Sequence, residues 1–371
     1  VKIQLARTSL LFGALAMSAL LSGCNKKDGA KGEGAGTGSA ATTPPEAASA
    51  AALNGSGSSF QKAYQEVAIE AFTKANAGVK INYGGGGSGK GRQDLADQVV
   101  EFAGSDSAYK DTDLAKNKGG DVLYFPVLLG PITVAYNVDG LDNLQLSPET
   151  IAKIFQRDIK KWDDAAIAAD NPGAKLPSID IVVVRRADGS GTTDNFTKYL
   201  DQTVGAAAAT PGPWKLKSGS TVEWPADAQA GQGNSGVSQQ VKSNTGGIGY
   251  VDLSDAKASG LKYASIKNQA GKFVVPTAES ASAAAEGIDI KDNLLFSALN
   301  AKGEAAYPIT YQSWVIVYAK QTEAAKGKAL KAYLTYLLTD GQKLLTELDF
   351  APLPKSLQDK AVAQLDKLML P

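Results

Sequence analysis

Apolar positions set out most of the chain's architecture. Phe60, Tyr64, Val67, Ala68, Ala71 and Phe72 recur at helical spacing and predict a helix over about 61–75. Val79 to Tyr83 predicts a strand, and Leu95, Val99 and Val100 mark a helix from about Gly91. Strands follow at Val122–Val127 and Ile132–Tyr136, a helix at Ile151–Phe155, and a strongly apolar strand at Ile179–Arg186. Leu330, Tyr333, Leu334, Leu337 and Leu338 form an amphipathic stripe near the end, while Ala278–Glu286 is biased in composition and reads equally as an alanine-rich helix. No repeat of fixed period is present. Strands alternating with helices predict an α/β architecture with largely parallel sheets.

This pattern begins only near Leu53. Asn25 to Ala52 holds nothing apolar larger than alanine apart from two prolines, so it cannot bury enough surface to offset its ordering entropy. It is expected to be a flexible tether with a reach of about 30 Å. Ahead of it, Lys2 and Arg7 precede the apolar run Leu10 to Leu21, which is short for a membrane span and has the layout of an export signal. The run ends in Leu21-Ser22-Gly23-Cys24, which resembles a bacterial lipobox. That resemblance implies removal of residues 1–23, acylation of Cys24, and a protein anchored by lipid in the periplasm or at the cell surface. The alternative is an ordinary signal peptide beside an incidental cysteine.

Composition narrows the chemistry. The 371 residues suggest two domains and allow a full core. The 38 basic and 38 acidic side chains balance, and loss of Lys2 and Arg7 would leave 36 against 38. No basic footprint for nucleic acid exists, and an anion must be held by a local site. Histidine is absent, which removes the usual general base and every His-ligated metal site. Cys24 is the single cysteine, so intramolecular disulfides are excluded. These absences point to a binder rather than an enzyme, with no cofactor and no metal.

Three clusters of glycine and hydroxyl residues each precede a predicted helix. They are Gly55-Ser56-Gly57-Ser58-Ser59-Phe60, Gly84 to Gly91 (GGGGSGKG), and Arg186-Ala187-Asp188-Gly189-Ser190-Gly191-Thr192-Thr193. A helix start offers N–H groups without intrahelical partners and a favourable dipole, and glycine lets an anion approach the backbone. Any one cluster alone reads as ordinary helix capping. Three together, one carrying an arginine suited to a bidentate grip, favour a small oxyanion. Asp188 can steady Arg186, or the two form a surface ion pair of little consequence. The second cluster matches a P-loop as far as Gly84-x4-Gly89-Lys90, but Gly91 stands where a magnesium-binding hydroxyl is required. Phe102-Ala103-Gly104-Ser105-Asp106 places a carboxylate at another strand-to-loop edge.

Taken with Lys160-Lys161-Trp162-Asp163-Asp164, Gly219-Ser220-Thr221-Val222-Glu223-Trp224-Pro225, Gly247-Ile248-Gly249-Tyr250-Val251 and the run Val183 to Thr192, these segments resemble the substrate-binding proteins of bacterial high-affinity phosphate ABC transporters. The resemblance spans the whole folded part. It implies a type II periplasmic-binding-protein fold of two α/β lobes, 53–138 plus 315–371 and 139–314, joined by two crossing strands, with the ligand cleft between them. It further implies phosphate held by Ser59, Phe60 N–H, Ser88, Asp106, Arg186, Ser190, Gly191 N–H and Thr192, with Asp188 behind the arginine. A membrane permease of an ABC importer is the implied partner, and the protein is expected to act as a monomer. Asp106 would accept the proton that phosphate carries and sulfate lacks. Gln61 stands where the family usually has proline, and Lys90-Gly91 where Gly-Gly is common. Lys90 then either adds charge at the pocket mouth or points into water. The competing readings are a binder of another oxyanion such as sulfate or molybdate, which Asp106 opposes, and an exported phosphatase using Ser190 or Ser88, which lacks a histidine base.

Overall fold

The computed structural model describes residues 50–371. The export signal, Cys24 with its expected acylation, and the tether as far as residue 49 lie outside the described residues. The first strand, β1 (Ala51–Gly57), starts two residues before the apolar pattern does. It is flanked in parallel by β2 (Val79–Gly84) and β3 (Phe102–Ser105).

β4 (Val122–Asn137) is a single 16-residue strand where the sequence predicts two. It holds two prolines, Pro126 and Pro131, and both fall where the ladder is already interrupted. Pro126 lies beside a bulge at Val127, since Ser313 pairs with Leu128 and Trp314 with Pro126. Pro131 is the last residue to pair on one side before the strand changes partners at Ile132.

The remaining strands are β5 (Gln145–Leu146), β6 (Val182–Arg186), β7 (Gln229–Gly231), β8 (Gly247–Asp252), β9 (Lys262–Tyr263), β10 (Ser265–Lys267), β11 (Phe273–Val274) and β12 (Thr310–Tyr318). Among the described residues nine strands form one curled sheet in the order β2-β1-β3-β12-β4-β8-β6-β7, with β9 also on β4. The outer pairs are parallel, as the alternation predicts. The centre is not: β12 runs antiparallel to β3 and β4, and β4 antiparallel to β8. The prediction of largely parallel sheets therefore fails in the middle, because β4 carries the chain from one half to the other and β12 belongs to its return. All nine residues of β12 are buried, as expected of a strand covered on both faces.

Helices pack on both halves. Lys62–Ala75 buries Tyr64, Ala68 and Phe72, and Ala324–Leu338 buries Leu330, Tyr333, Leu334, Leu337 and Leu338. Ser88–Ala96 starts three residues earlier than its apolar positions indicate, because Ser88 and Gly89 are already helical. Gly191–Val204 begins directly after Ser190, whose side chain accepts from Thr193 N–H. These parallel strands deliver their loops, and with them the three glycine clusters, at their carboxyl ends, the usual place for a ligand in an open α/β sheet.

Candidate functional site

The buried carboxylate of Asp106, 1% exposed, follows directly on β3. Its Oδ1 accepts from Ser58 Oγ at 2.6 Å and from Ser313 Oγ at 2.5 Å. Ser88 Oγ reaches Oδ2 at 3.2 Å and accepts from the Asp106 N–H at 3.1 Å. Burial pushes this carboxyl up to about 6, against the three hydroxyls and the more distant Arg186, which favour its ionised form.

Arg186, at the end of β6, is equally buried but held by acceptors. Nε donates to Asp188 Oδ1 at 2.9 Å, and a second guanidinium nitrogen pairs with Asp188 Oδ2. Nη1 donates to Asn234 Oδ1 at 2.7 Å and to Thr192 Oγ1 at 3.3 Å. Asn234 is oriented in turn by Asp252, which accepts from its Nδ2 at 2.5 Å. Burial works against the Asp188 carboxylate, yet Arg186 and the Gly233 N–H outweigh it and hold the group below its usual range. The Arg186–Asp188 pair has 1% and 8% side-chain exposure, so it is no surface ion pair.

The two walls meet through glycines. Gly89 N–H donates to Gly189 O at 2.9 Å, and Asn195 Nδ2 donates to Asp106 O at 2.7 Å. A β-carbon on Gly191 would overlap Ser88 Oγ and lie 2.7 Å from Asp106 Cβ. Gly87, at φ +91°, leaves no room beside Asp188 for a side chain.

Ser88, Asp106, Arg186, Gly191 and Thr192 are thus brought together. Ser190 caps its helix with its oxygen, which leaves its proton free to donate. Ser59 is half-buried, touches Asn234 N–H at 3.3 Å and does not reach Asp106. Phe60 N–H donates to Ser58 Oγ at 3.1 Å. Lys90 is exposed and paired with Asp94, in agreement with the water-facing reading.

Sequence reasoning missed Ser58, Asn195, Asn234 and Ser313. Ser58 and Asn234 carried a signal: Ser58 sits in a glycine-rich turn ahead of a helix, and Asn234 in the first turn of the helix Gly233–Ser243, at the end of a fourth such cluster, Gly231-Gln232-Gly233-Asn234. Ser313 carried none, because it lies 207 residues from Asp106 in an unremarkable strand. Among the described residues no group of three acidic or cysteine side chains is placed to hold a metal ion.

A two-lobed α/β protein whose halves meet at a buried site rich in N–H and hydroxyl donors is the class that this geometry defines. The model of the PBP superfamily domain matches residues 42–341. The Phosphate-binding protein PstS of Xylella fastidiosa is 35% identical over 365 residues, covering 96% of both chains. Phosphate-binding protein PstS 3 of Mycobacterium leprae is 34% identical, covering 96% of this chain and 98% of its own. The chain belongs to the PstS family of phosphate-binding proteins, within the PBP superfamily.

Solved structures agree on the fold. A high-affinity periplasmic phosphate-binding protein bound with phosphate superimposes with a TM-score of 0.70 at 21% identity, covering 85% of this chain and 94% of its own. A putative phosphate ABC transporter substrate-binding protein from Clostridium perfringens, with bound phosphate, gives 0.61 at 17% identity, covering 82% and 100%.

Proposed function

We propose that the protein binds inorganic phosphate between its lobes and delivers it to an ABC-type phosphate importer, without catalysing a reaction. The observation that carries this reading is the pairing of a buried, hydroxyl-held carboxylate with a buried, fully oriented guanidinium at one helix start. Arg186, Ser190 O–H, Gly191 N–H and Thr192 supply donors from one side; Ser59, Phe60 N–H and Ser88 supply them from the other, Phe60 and Ser88 by exchanging their present acceptors, Ser58 Oγ and Asp106 Oδ2, for the ligand. Asp106 supplies the acceptor. A phosphate ion that still carries a proton satisfies every partner, whereas sulfate leaves Asp106 facing like charge. The names of the relatives support the same ligand.

The lobes in this proposal are 53–138 plus 315–371 and 139–314, with β4 and β12 as the joining strands. β4 changes partners at Pro131 and Ile132, a few residues before the first limit. Phosphate bridging both lobes favours the closed arrangement that a permease recognises. Acylation of Cys24 would keep a monomeric protein on the membrane, in the periplasm or at the cell surface.

Isothermal titration of ligand-stripped protein with phosphate and with sulfate near pH 7 tests the reading. Tight one-to-one binding of phosphate with no sulfate heat is expected. Tight sulfate binding without phosphate binding would overturn it.

A further inference from the structure

Gln61 stands at the entrance of the helix Lys62–Ala75 yet makes no side-chain cap. Its side chain turns inward and is fully buried, as are those of Gln65, Ser313 and Tyr333. The orientation of its amide is fixed by chemistry. One terminal atom lies 3.0 Å from Trp314 O and 2.8 Å from Ser313 Oγ. A carbonyl only accepts, so that atom is Nε2. The opposite atom, Oε1, then accepts from Gln65 Nε2 at 2.7 Å. Gln65 Oε1 is left to accept, and Tyr333 O–H donates to it at 2.6 Å.

Every donor in this chain therefore points one way: Tyr333 to Gln65, Gln65 to Gln61, Gln61 to Ser313. Ser313 has one proton. With Gln61 donating to its oxygen, that proton is directed to Asp106 Oδ1, 2.5 Å away. Ser58 is constrained in the same sense, since Phe60 N–H donates to its oxygen at 3.1 Å while its own proton faces Oδ1 at 2.6 Å.

We propose that Gln61 is a positioning residue for oxyanion selectivity: by fixing the direction of the Ser313 hydroxyl it keeps Asp106 an acceptor toward the ligand. The inference rests on the phosphate-binding reading. A proton on Asp106 Oδ1 would oppose two hydroxyl protons already aimed at that oxygen. Without the Gln61 amide, Ser313 can turn its proton away from Oδ1, so the carboxylate loses one of the donors that stabilise its charge and takes up a proton at higher pH on Oδ2, the oxygen beside Gly191. The carboxyl then presents a donor, and a fully ionised oxyanion is no longer refused. The other titratable or charged groups around Asp106 are Arg186 on β6, Tyr83 on β2 and Tyr311 on β12. Arg92, on the helix Ser88–Ala96, bonds to Ser105 and Ser107 on either side of it. None of these hydrogen-bonds to Gln61 Nε2, whose partners are Ser313 Oγ and Trp314 O.

The test compares phosphate and sulfate affinities of the full chain from pH 5 to 8, for the parent and for Gln61→Met, which keeps the volume and removes the donor. The ratio of phosphate to sulfate affinity is expected to fall about tenfold near pH 7 in the variant. The pH at which selectivity collapses should move up by about one unit. Ser313→Ala should produce the same displacement, and it serves alone should Gln61→Met fail to fold. Tyr64→Phe is the structural control: it loses a buried bond to Leu337 O outside this chain and should lower only the melting temperature. A selectivity profile in folded Gln61→Met, or in Ser313→Ala, that overlays the parent's would overturn the inference. So would an equal displacement in Tyr64→Phe. A parent chain that binds neither anion would remove the phosphate-binding reading itself.

Discussion

Asp106 and Asp188 are both buried aspartates on loops that follow parallel strands, and they meet across the same seam, yet their environments push them in opposite directions. Asp106 is bonded by neutral hydroxyls, and burial raises it to about 6. Asp188 is clamped by Arg186 and a backbone N–H, and it sits below its usual range. Asp188 is therefore spent inside the protein: it neutralises and aims a cation. Asp106 keeps its charge unneutralised at short range, which costs stability and leaves an acceptor for a ligand that can donate. In the proposed function, one residue type thus serves as scaffold on one wall and as selector on the other.

The largest effect should come from breaking the clamped wall. Arg186→Ala removes the cation and leaves Asp188 and Asn234 Oδ1 buried without their partner. Phosphate affinity should drop by about a hundredfold or more, and unfolding free energy by about 3–5 kcal/mol. Titration calorimetry and denaturant melts read the two losses separately.

Next comes the seam. Gly191→Ala changes neither aspartate, but its methyl group overlaps Ser88 Oγ and crowds Asp106. Affinity should fall by about tenfold or more while the melting temperature in the absence of phosphate stays close to the parent's.

A smaller effect separates the two carboxylates by their pH dependence. Asp106 keeps its proton to a higher pH when folded, about 6 against an ordinary 3.8. The unfolded chain binds fewer protons across that window, so this group makes stability fall as pH rises from about 4 to 6. Above that range it adds no further slope. Asp188 acts with the opposite sign: its contribution is present above the ordinary carboxylate range and is lost as pH falls through its lowered value. Denaturant melts of Asp106→Asn between pH 4 and 7 should lack the decline, and an unchanged decline would reject the assignment. The smallest effect is expected from Lys257→Ala, which removes an exposed pair with Asp349. Phosphate affinity should change less than about threefold, and the difference should vanish in high salt.

The same contrast explains what the sequence disclosed. Arg186, Asp188, Ser190 and Gly191 lie within six residues, so a local pattern of strand, glycine turn and helix start revealed that wall. The Asp106 wall is assembled from Ser58, Ser88, Asp106 and Ser313, brought together by β12 as the chain returns to the first half. No local spacing encodes that encounter. Helices with clear apolar stripes were legible for the same local reason. β4 was split at 128–131, where Gly130 and Pro131 weaken a strand pattern, and only its partners reveal that the strand runs on and changes sides there. The antiparallel centre of the sheet was likewise hidden, since direction depends on which strand lies beside which.

The glycine seam has a consequence for speed. Gly87, Gly89, Gly189 and Gly191 have no side-chain torsions, and the bond between Gly89 and Gly189 joins backbone to backbone. Two surfaces furnished with long side chains must sort rotamers before they interlock, and each ordered chain costs entropy. Here little such sorting is required beyond the Asn195 amide, so little should delay the meeting of the two walls beyond bending of the β4 and β12 connections. A carrier that must load and unload repeatedly gains from a fast clasp as much as from a tight one.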